Sequence, residues 1–186
     1  PHFGICGGCL YQPIPYEEQL AIKEKQVRSL LDAVCPEYEF EGILGSPLVQ
    51  GYRNKMEFSF GDEVKDGPMS LGMHKRGSFY DVVTTGECHI VHPDFCKILV
   101  CTKEYFEEKK VGFYKKMQHT GYLRHLLVRR AIKTGEILVD LITTTQTDTF
   151  EGTEEALLRG WTERLQALPM EGSFAGILHT KNDTLA

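Results

Sequence analysis

Two alternating runs meet across a three-residue connection past the middle of the chain. Tyr122 to Ile132 and Glu136 to Thr144 are joined by Lys133-Thr134-Gly135. Apolar–polar alternation predicts paired strands, and a short glycine-containing connection predicts a hairpin. An antiparallel pair of this length needs further strands and a covering layer to be stable. The fold class therefore depends on what the chain places on either side of it.

Three helical patterns flank the strands. Tyr16 to Val34 carries Leu20, Val27, Leu30, Leu31 and Val34 at helical spacing, with Cys35-Pro36 ending it. Pro93 to Lys109 carries a stripe of Phe95, Ile98, Leu99, Thr102, Tyr105 and Phe106. Thr153 to Leu168 begins at a residue able to cap and stops before Pro169. Strands are expected at Tyr52 to Phe60, Met69 to His74, Phe79 to Thr84 and Ser173 to His179. In the first of these, Met56, Phe58 and Phe60 point one way. Arg53, Lys55, Glu57 and Ser59 point the other. The last six elements run strand–helix–strand–strand–helix–strand. The expected class is α+β, a mainly antiparallel sheet with helices. Its ferredoxin-like βαββαβ order is preceded by an N-terminal helix and an antiparallel strand pair.

The 186 residues, 41% of them hydrophobic, suit one sizeable core. No run approaches the roughly 18 apolar residues of a membrane-spanning helix, and no secretory signal is visible. Six cysteines without a dense disulfide framework make a reducing cytoplasm the default compartment. The first residue is Pro1 rather than Met, and Asn182 to Ala186 has no terminal character, so a piece of a longer protein is expected. Net charge is −5, against a generally basic nucleic-acid binder. Yet residues 109–133 hold eight of the 21 Lys and Arg and none of the 26 Asp and Glu. A local basic stripe on an acidic body is a binding-surface pattern, and equally the pattern of a solvated face paired from elsewhere.

Cys6-Gly7-Gly8-Cys9 suits two thiolates converging on one centre, and Cys88 is a third candidate. Spacing alone leaves three readings open: an iron–sulfur cluster, zinc with His92 or His89 as fourth ligand, or a redox pair. Cys96 and Cys101 read as small core residues, and Cys35 as inert.

Four blocks in series carry a resemblance. CGGCLYQPIPYEEQLAIKEKQV, GYRNKMEFSFG, LGMHKRGSFYDVVTTGECHI and GYLRHLLVRR together resemble the cysteine-motif and central-domain region of the RNA (uracil-5-)-methyltransferases. These enzymes use S-adenosylmethionine to form 5-methyluridine in tRNA or 23S rRNA. The resemblance implies a [4Fe-4S] cluster held by C-x5-C-x2-C and one distant cysteine. Cys6, Cys9 and Cys88 match three of those places, and the fourth would lie directly before Pro1. It implies residues 1–44 as the cysteine motif and a helix that packs on a methyltransferase domain. Residues 45–186 would be the central RNA-contacting domain, with the S-adenosylmethionine-binding catalytic domain beyond 186. None of the six cysteines matches the family's catalytic nucleophile, and no Gly-rich dinucleotide-type loop follows a strand. No catalytic or S-adenosylmethionine-binding residue is therefore expected here.

The implied partner is structured RNA, tRNA or rRNA. Candidate contacts are Arg53, Asn54 and Lys55 on the wet strand face, Lys75 and Arg76 in a turn, and Arg124, Arg129 and Arg130 from the hairpin. Arg124 and Arg130 share strand parity while Arg129 points the other way. With the catalytic domain absent, the first helix is expected to leave Leu20, Val27 and Leu31 exposed or in an oligomer contact. Two other classes compete: a stand-alone zinc-stabilised RNA-binding module, and an electron-carrying iron–sulfur protein. Ferredoxin-type clusters use denser cysteine sets, which weighs against the latter.

Overall fold

The computed structural model describes residues 2–35 and 37–185. Pro36, expected to help end the first helix, Pro1 and Ala186 lie outside them. The chain divides into two units, Cys9–Val49, and Pro1–Gly8 with Gln50–Ala186. The expected boundary at residue 44 thus falls five residues later, and the first eight residues join the larger unit.

The smaller unit is built on α1 (Tyr16–Asp32). Pro15 precedes its first turn, where a missing N–H is harmless. Arg28 pairs with Glu24 one turn earlier and lies 4.0 Å from the Phe40 ring centroid. No residue of α1 is buried, and Val27 and Leu30 are exposed.

The larger unit holds β1 (Lys55–Asp62), β2 (Met69–His74), β3 (Val82–Thr84), α2 (Pro93–Glu108), β4 (Leu123–Arg130), β5 (Glu136–Thr143), α3 (Glu154–Gln166) and β6 (Ser173–Lys181). The six strands form one sheet in the order β3-β2-β1-β4-β5-β6. All neighbours are antiparallel except β5 and β6. The α+β class and the order strand–helix–strand–strand–helix–strand are as expected. The spatial arrangement differs from a split βαβ. Two strands, β2 and β1, separate β3 from β4, and β5 lies directly beside β6. The reason is the β1–β4 pairing over Lys55–Ser59, which brings the hairpin to β1 rather than to β3. Chain order alone carries no information about that choice.

The alternation of β1, β4 and β5 sends Met56, Phe58, Leu126, Val128, Ile137, Val139 and Leu141 to one face, where each is buried. Helices α2 and α3 cover that face. The whole expected stripe of α2 is buried, and α3 adds Leu157, Trp161 and Leu165. Burying each large apolar side chain is worth about 1.5–3 kcal/mol. The polar groups drawn in are satisfied: Trp161 Nε1 donates to Thr102 Oγ1 at 3.1 Å, and Tyr105 Oη donates to the Leu157 carbonyl at 2.7 Å. His92 caps α2 by accepting from the Asp94 N–H at 3.3 Å. Thr153 caps α3 by accepting from the Ala156 N–H at 3.2 Å.

Two features tie α2 to the rest. The buried Asp94 carboxylate accepts from the Glu171 and Gly172 N–H groups at 3.1 and 2.9 Å, anchoring the turn before β6. Gly160, inside α3, lies under the Tyr105 hydroxyl, 2.5 Å from where a Cβ would stand. A Gly-to-Ala change in a helix interior normally stabilises by up to about 1 kcal/mol. At Gly160 the sign reverses, because Tyr105 is held by its bond to Leu157.

Gly160→Ala is therefore expected to lower the melting temperature in the wild-type background and to raise it, or leave it level, in Tyr105→Phe. Thermal unfolding of the four proteins checks this, and equal penalties in both backgrounds would exclude the contact. The Asp94 carboxyl would be raised by its burial, but the Gly172 and Glu171 N–H groups outweigh that and hold it below the usual carboxylate range. A lowered folded-state value stabilises above the unfolded value and is lost as pH falls through it. Stability contributed by Asp94 is thus full at neutral pH, starts to fall near pH 4 and is lost as pH drops through the lower folded-state value. Asp94→Asn, which leaves the two N–H groups poorly matched, is expected to remove about 1–3 kcal/mol at pH 7. It should flatten the acid limb of a chemical-denaturation pH series.

Candidate nucleic-acid interface

The face of the sheet away from α2 and α3 carries Lys55, Glu57, Ser59, His125, Leu127 and Arg129. Lys55 stands opposite Arg129 across β1 and β4, and both side chains are exposed. Like charges directly opposed on a sheet cost about 0.5 kcal/mol. Asn54 accepts from the Arg130 N–H at 2.9 Å through its carbonyl, continuing the pairing past the strand end. Arg53 is exposed and its Nε donates to the Lys55 carbonyl at 3.2 Å. Arg130 is half-buried, with its Nε enclosed and without a hydrogen-bond partner among the described residues. Arg53, Asn54, Lys55, Arg129 and Arg130 therefore gather at one end of the β1–β4 pair, with the parity the alternation implied.

Arg124 lies elsewhere. Six residues of strand separate it from Arg130, about 20 Å along β4. It is 5% exposed. Its Nη1 donates to the Asn182 and Thr184 carbonyls, each at 2.7 Å, and its guanidinium lies 4.5 Å from the Tyr114 ring centroid. Arg124 holds the segment after β6 against β4. The register shift between Leu123 and His125 locates it there, an irregularity that alternation does not show. Lys75 and Arg76 sit in the turn after β2. The Arg76 N–H donates to the Ile5 carbonyl at 2.7 Å, and its guanidinium lies 5.5 Å from the Phe3 ring centroid.

The basic run of the sequence is thus split. Arg129, Arg130 and Lys133 sit at the hairpin end. Lys115 and Lys116 sit at the other, on the loop between α2 and β4. That loop is pinned by Gly121, whose φ is +118° and whose added Cβ would stand 2.1 Å from the Phe113 carbonyl oxygen. Lys115 pairs with Asp66 at 2.7 Å, crossing from this loop to the β1–β2 turn. A cavity of about 520 Å3 lies at this end of the open face, between β1, the start of β3 and the loop. Sequence reasoning missed it, since its walls come from segments more than 50 residues apart. The only signal was the density of lysine at 115–116.

The thiol candidates divide similarly. Cys6 lies in the first-residue segment, bridged to Lys75, and the Gly8 N–H donates to its Sγ at 3.3 Å. The Cys6 N–H donates to the His2 carbonyl, and His2 Nε2 accepts from the Glu87 N–H at 3.3 Å. Glu87 precedes Cys88, so the Cys6 loop and the Cys88 loop are tied through His2. Cys9 is counted with the smaller unit. Among the described residues no group of three or more His, Cys, Asp or Glu side chains is arranged to hold a metal ion. His92 has both ring nitrogens engaged, Nδ1 with the Asp94 N–H and Nε2 with Glu171 at 3.1 Å, which leaves it no free atom for zinc. Cys96 and Cys101 pack against the core, and burial pushes both thiols up from their usual value, as inert core residues should show.

The architecture defines an α+β protein with helices on one face of its sheet and cations clustered on the other. No family model matches the chain. Over 187 residues it is 50% identical to an uncharacterized RNA methyltransferase of Clostridium acetobutylicum, covering 100% of this chain and 40% of that protein. It is 33% identical over 141 residues to the tRNA (uracil(54)-C(5))-methyltransferase of Pyrococcus furiosus, covering 76% of this chain and 31% of that one. The crystal structure of Pyrococcus abyssi tRNA (uracil-54, C5)-methyltransferase in complex with S-adenosyl-L-homocysteine superposes with a TM-score of 0.60 at 26% identity. That match covers 83% of this chain and 34% of the neighbour. The chain belongs to this RNA methyltransferase family, and it spans about 40% of the length of the curated relatives it matches first.

Arg129→Glu is expected to stabilise the fold by about 0.5 kcal/mol, since Lys55 gains an opposite neighbour. Urea titration of the two proteins checks the sign.

Proposed function

We propose that this chain is the RNA-contacting part of an S-adenosylmethionine-dependent RNA uracil-C5 methyltransferase. The observation that carries the reading is relatedness along the full chain to an RNA methyltransferase, and over about four fifths of it to two proteins named for uracil C5 of tRNA. The open sheet face adds to it. Lys55, Arg129 and Arg53 offer phosphate contacts on a rigid strand pair, which fixes register without reading sequence. A uracil buried in folded RNA must leave its stack before its C5 can react, so rigid backbone contacts beside the target set how far it must travel. S-adenosylmethionine, when bound, would supply the methyl group. None of the residues described here is assigned to hold it. The substrate is a structured tRNA or rRNA, the product 5-methyluridine, and the compartment the cytoplasm.

Cys6 and Cys88, with Cys9 at its spacing from Cys6, are proposed as ligands of a [4Fe-4S] cluster. The Gly8 N–H directed at the Cys6 sulfur and the His2 link toward Cys88 support this. Their arrangement in this structure does not by itself form a metal-holding group, and no step of methyl transfer is routed through them. The three α1 residues Leu20, Val27 and Leu31 are proposed as a contact face for another domain or a second copy.

The decisive measurement is transfer of labelled methyl from S-adenosylmethionine to uridine in tRNA and rRNA transcripts, using the protein as encoded with its natural flanks. Incorporation at uracil C5 is the expected result. Affinity of the same protein for RNA should fall about a thousandfold or more between 50 and 200 mM salt if six or more phosphates are contacted. Methyl transfer to another base, or a salt-independent affinity, would overturn the assignment. Iron and acid-labile sulfide in anaerobic preparations, lost in Cys88→Ser with unchanged circular dichroism, is the expected outcome for the thiols. One zinc per chain instead would exclude the cluster.

A further inference from the structure

The cavity on the open face has a graded lining. Ser59, His74 and His125 are half-buried in it, while Tyr80, Lys65 and Lys116 are exposed at its rim. Ser59 and His125 face each other across β1 and β4, with Ser59 Oγ and His125 Nδ1 3.3 Å apart. His74 Nδ1 is enclosed and has no hydrogen-bond partner among the described residues. Burial lowers both imidazoles from their usual value, with Lys116 acting in the same direction on each. A neutral imidazole carries one donor and one acceptor, and at His125 one of the two nitrogens is already turned to Ser59.

The charges at the mouth are mixed in a particular way. Lys115 is neutralised by Asp66, and the Asp62 carboxylate accepts from the Asp66 N–H at 2.8 Å. Lys65 and Lys116 form no ion pair within 4.0 Å among the described residues. Tyr80 is 59% exposed and Met117 75% exposed, an aromatic face and a soft apolar side chain at the entrance. The volume, about 520 Å3, lies within the range of sites that enclose a small ligand. The Asp62 and Asp81 carboxylates also line the cavity, so the two unpaired lysines stand beside acidic neighbours. Neutral donors and acceptors within, an apolar and aromatic entrance, and two lysines at the rim match one chemistry. That chemistry is a flat heterocycle bearing hydrogen-bonding edges and joined to a phosphate.

We propose that this cavity receives one unstacked nucleotide of an RNA strand, its base among Ser59, His74 and His125 and its phosphate at Lys65 and Lys116. The proposal rests on the RNA reading above and adds to it a specific nucleotide seat. Single-stranded RNA is recognised by splaying bases onto aromatic side chains and reading their edges, and the lining supplies both functions. The seat lies at the opposite end of β1 and β4 from the Lys55–Arg129 patch. A strand lying across the open face would thus be held at the hairpin end by its phosphates and at the far end by one inserted base. A free nucleotide shares the ligand chemistry, and the experiment separates the two sources.

The test follows the imidazole Cε1–H signals of His74 and His125 by NMR, assigned with His74→Gln and His125→Gln. His179, bonded to Thr143 Oγ1 at 2.8 Å on the other edge of the sheet, serves as the fold control. The probes are a single-stranded uridine-containing RNA oligomer and uridine monophosphate, with oligomer binding measured in parallel by anisotropy. The expected result is saturable movement of both cavity signals with the oligomer while His179 stays in place. Lys65→Ala/Lys116→Ala should weaken the oligomer about tenfold and lower its salt slope by about two. Oligomer binding that leaves both signals unmoved overturns the seat while leaving the RNA reading intact. Movement with the monophosphate but none with the oligomer overturns the RNA source and counts against the RNA reading as well. Silence of the signals with both probes removes the seat altogether.

Discussion

Everything on the surface of the larger unit depends on the sheet being covered on one side only. Its core residues on β1, β4 and β5 alternate apart from the irregularity at the start of β4, and α2 and α3 both pack on the face those residues form. Neither helix of the larger unit lies against the other face among the described residues, and opposed cations stand there at Lys55 and Arg129. An antiparallel sheet tolerates this arrangement because one face can be solvated while the other carries the hydrophobic burial. A fully parallel sheet with helices on both faces would have nowhere to put such a surface.

The one-sided cover has to be held in register, and the polar contacts of α2 do that. Asp94 ties the helix start to the turn before β6, and Tyr105 and Trp161 lock α2 to α3 through hydrogen bonds inside the core. These bonds add little net energy each, but leaving any of them unmade in a dry interior is costly. They specify how the helices sit on the sheet, and through it where the β4 register and the 113–121 loop fall. Arg124 shows the consequence. It is drawn under the segment after β6, and its charge strengthens the fold at the edge of the cavity.

The element order and the composition of the core were largely legible before the structure. The stripe of α2 is buried as its spacing implied, the cap at Thr153 forms, and the parity of Met56, Phe58 and Phe60 holds. The family was legible from four sequence blocks in series. Less legible was the sheet order. The hairpin could pair with any earlier strand of suitable alternation, and the winner was β1, which leaves β3 at an edge. Cys88 and the Cys6 loop are linked through His2, a residue whose part nothing in the spacing of cysteines announces.

By itself the amino-acid sequence determined the period of each segment, the apolar face of each helix and strand, and the descent of the chain. All of these follow from local patterns that repeat within a few residues. Only the tertiary structure decided that one basic run becomes two patches at opposite ends of the β1–β4 pair, that Arg124 is buried, and that His74 and His125 share a cavity with a lysine rim. Those facts depend on which strands pair and on where one irregularity enters β4. Pairing is set by the burial of whole faces and the closure of long loops, quantities summed over the entire chain, so no short stretch contains them.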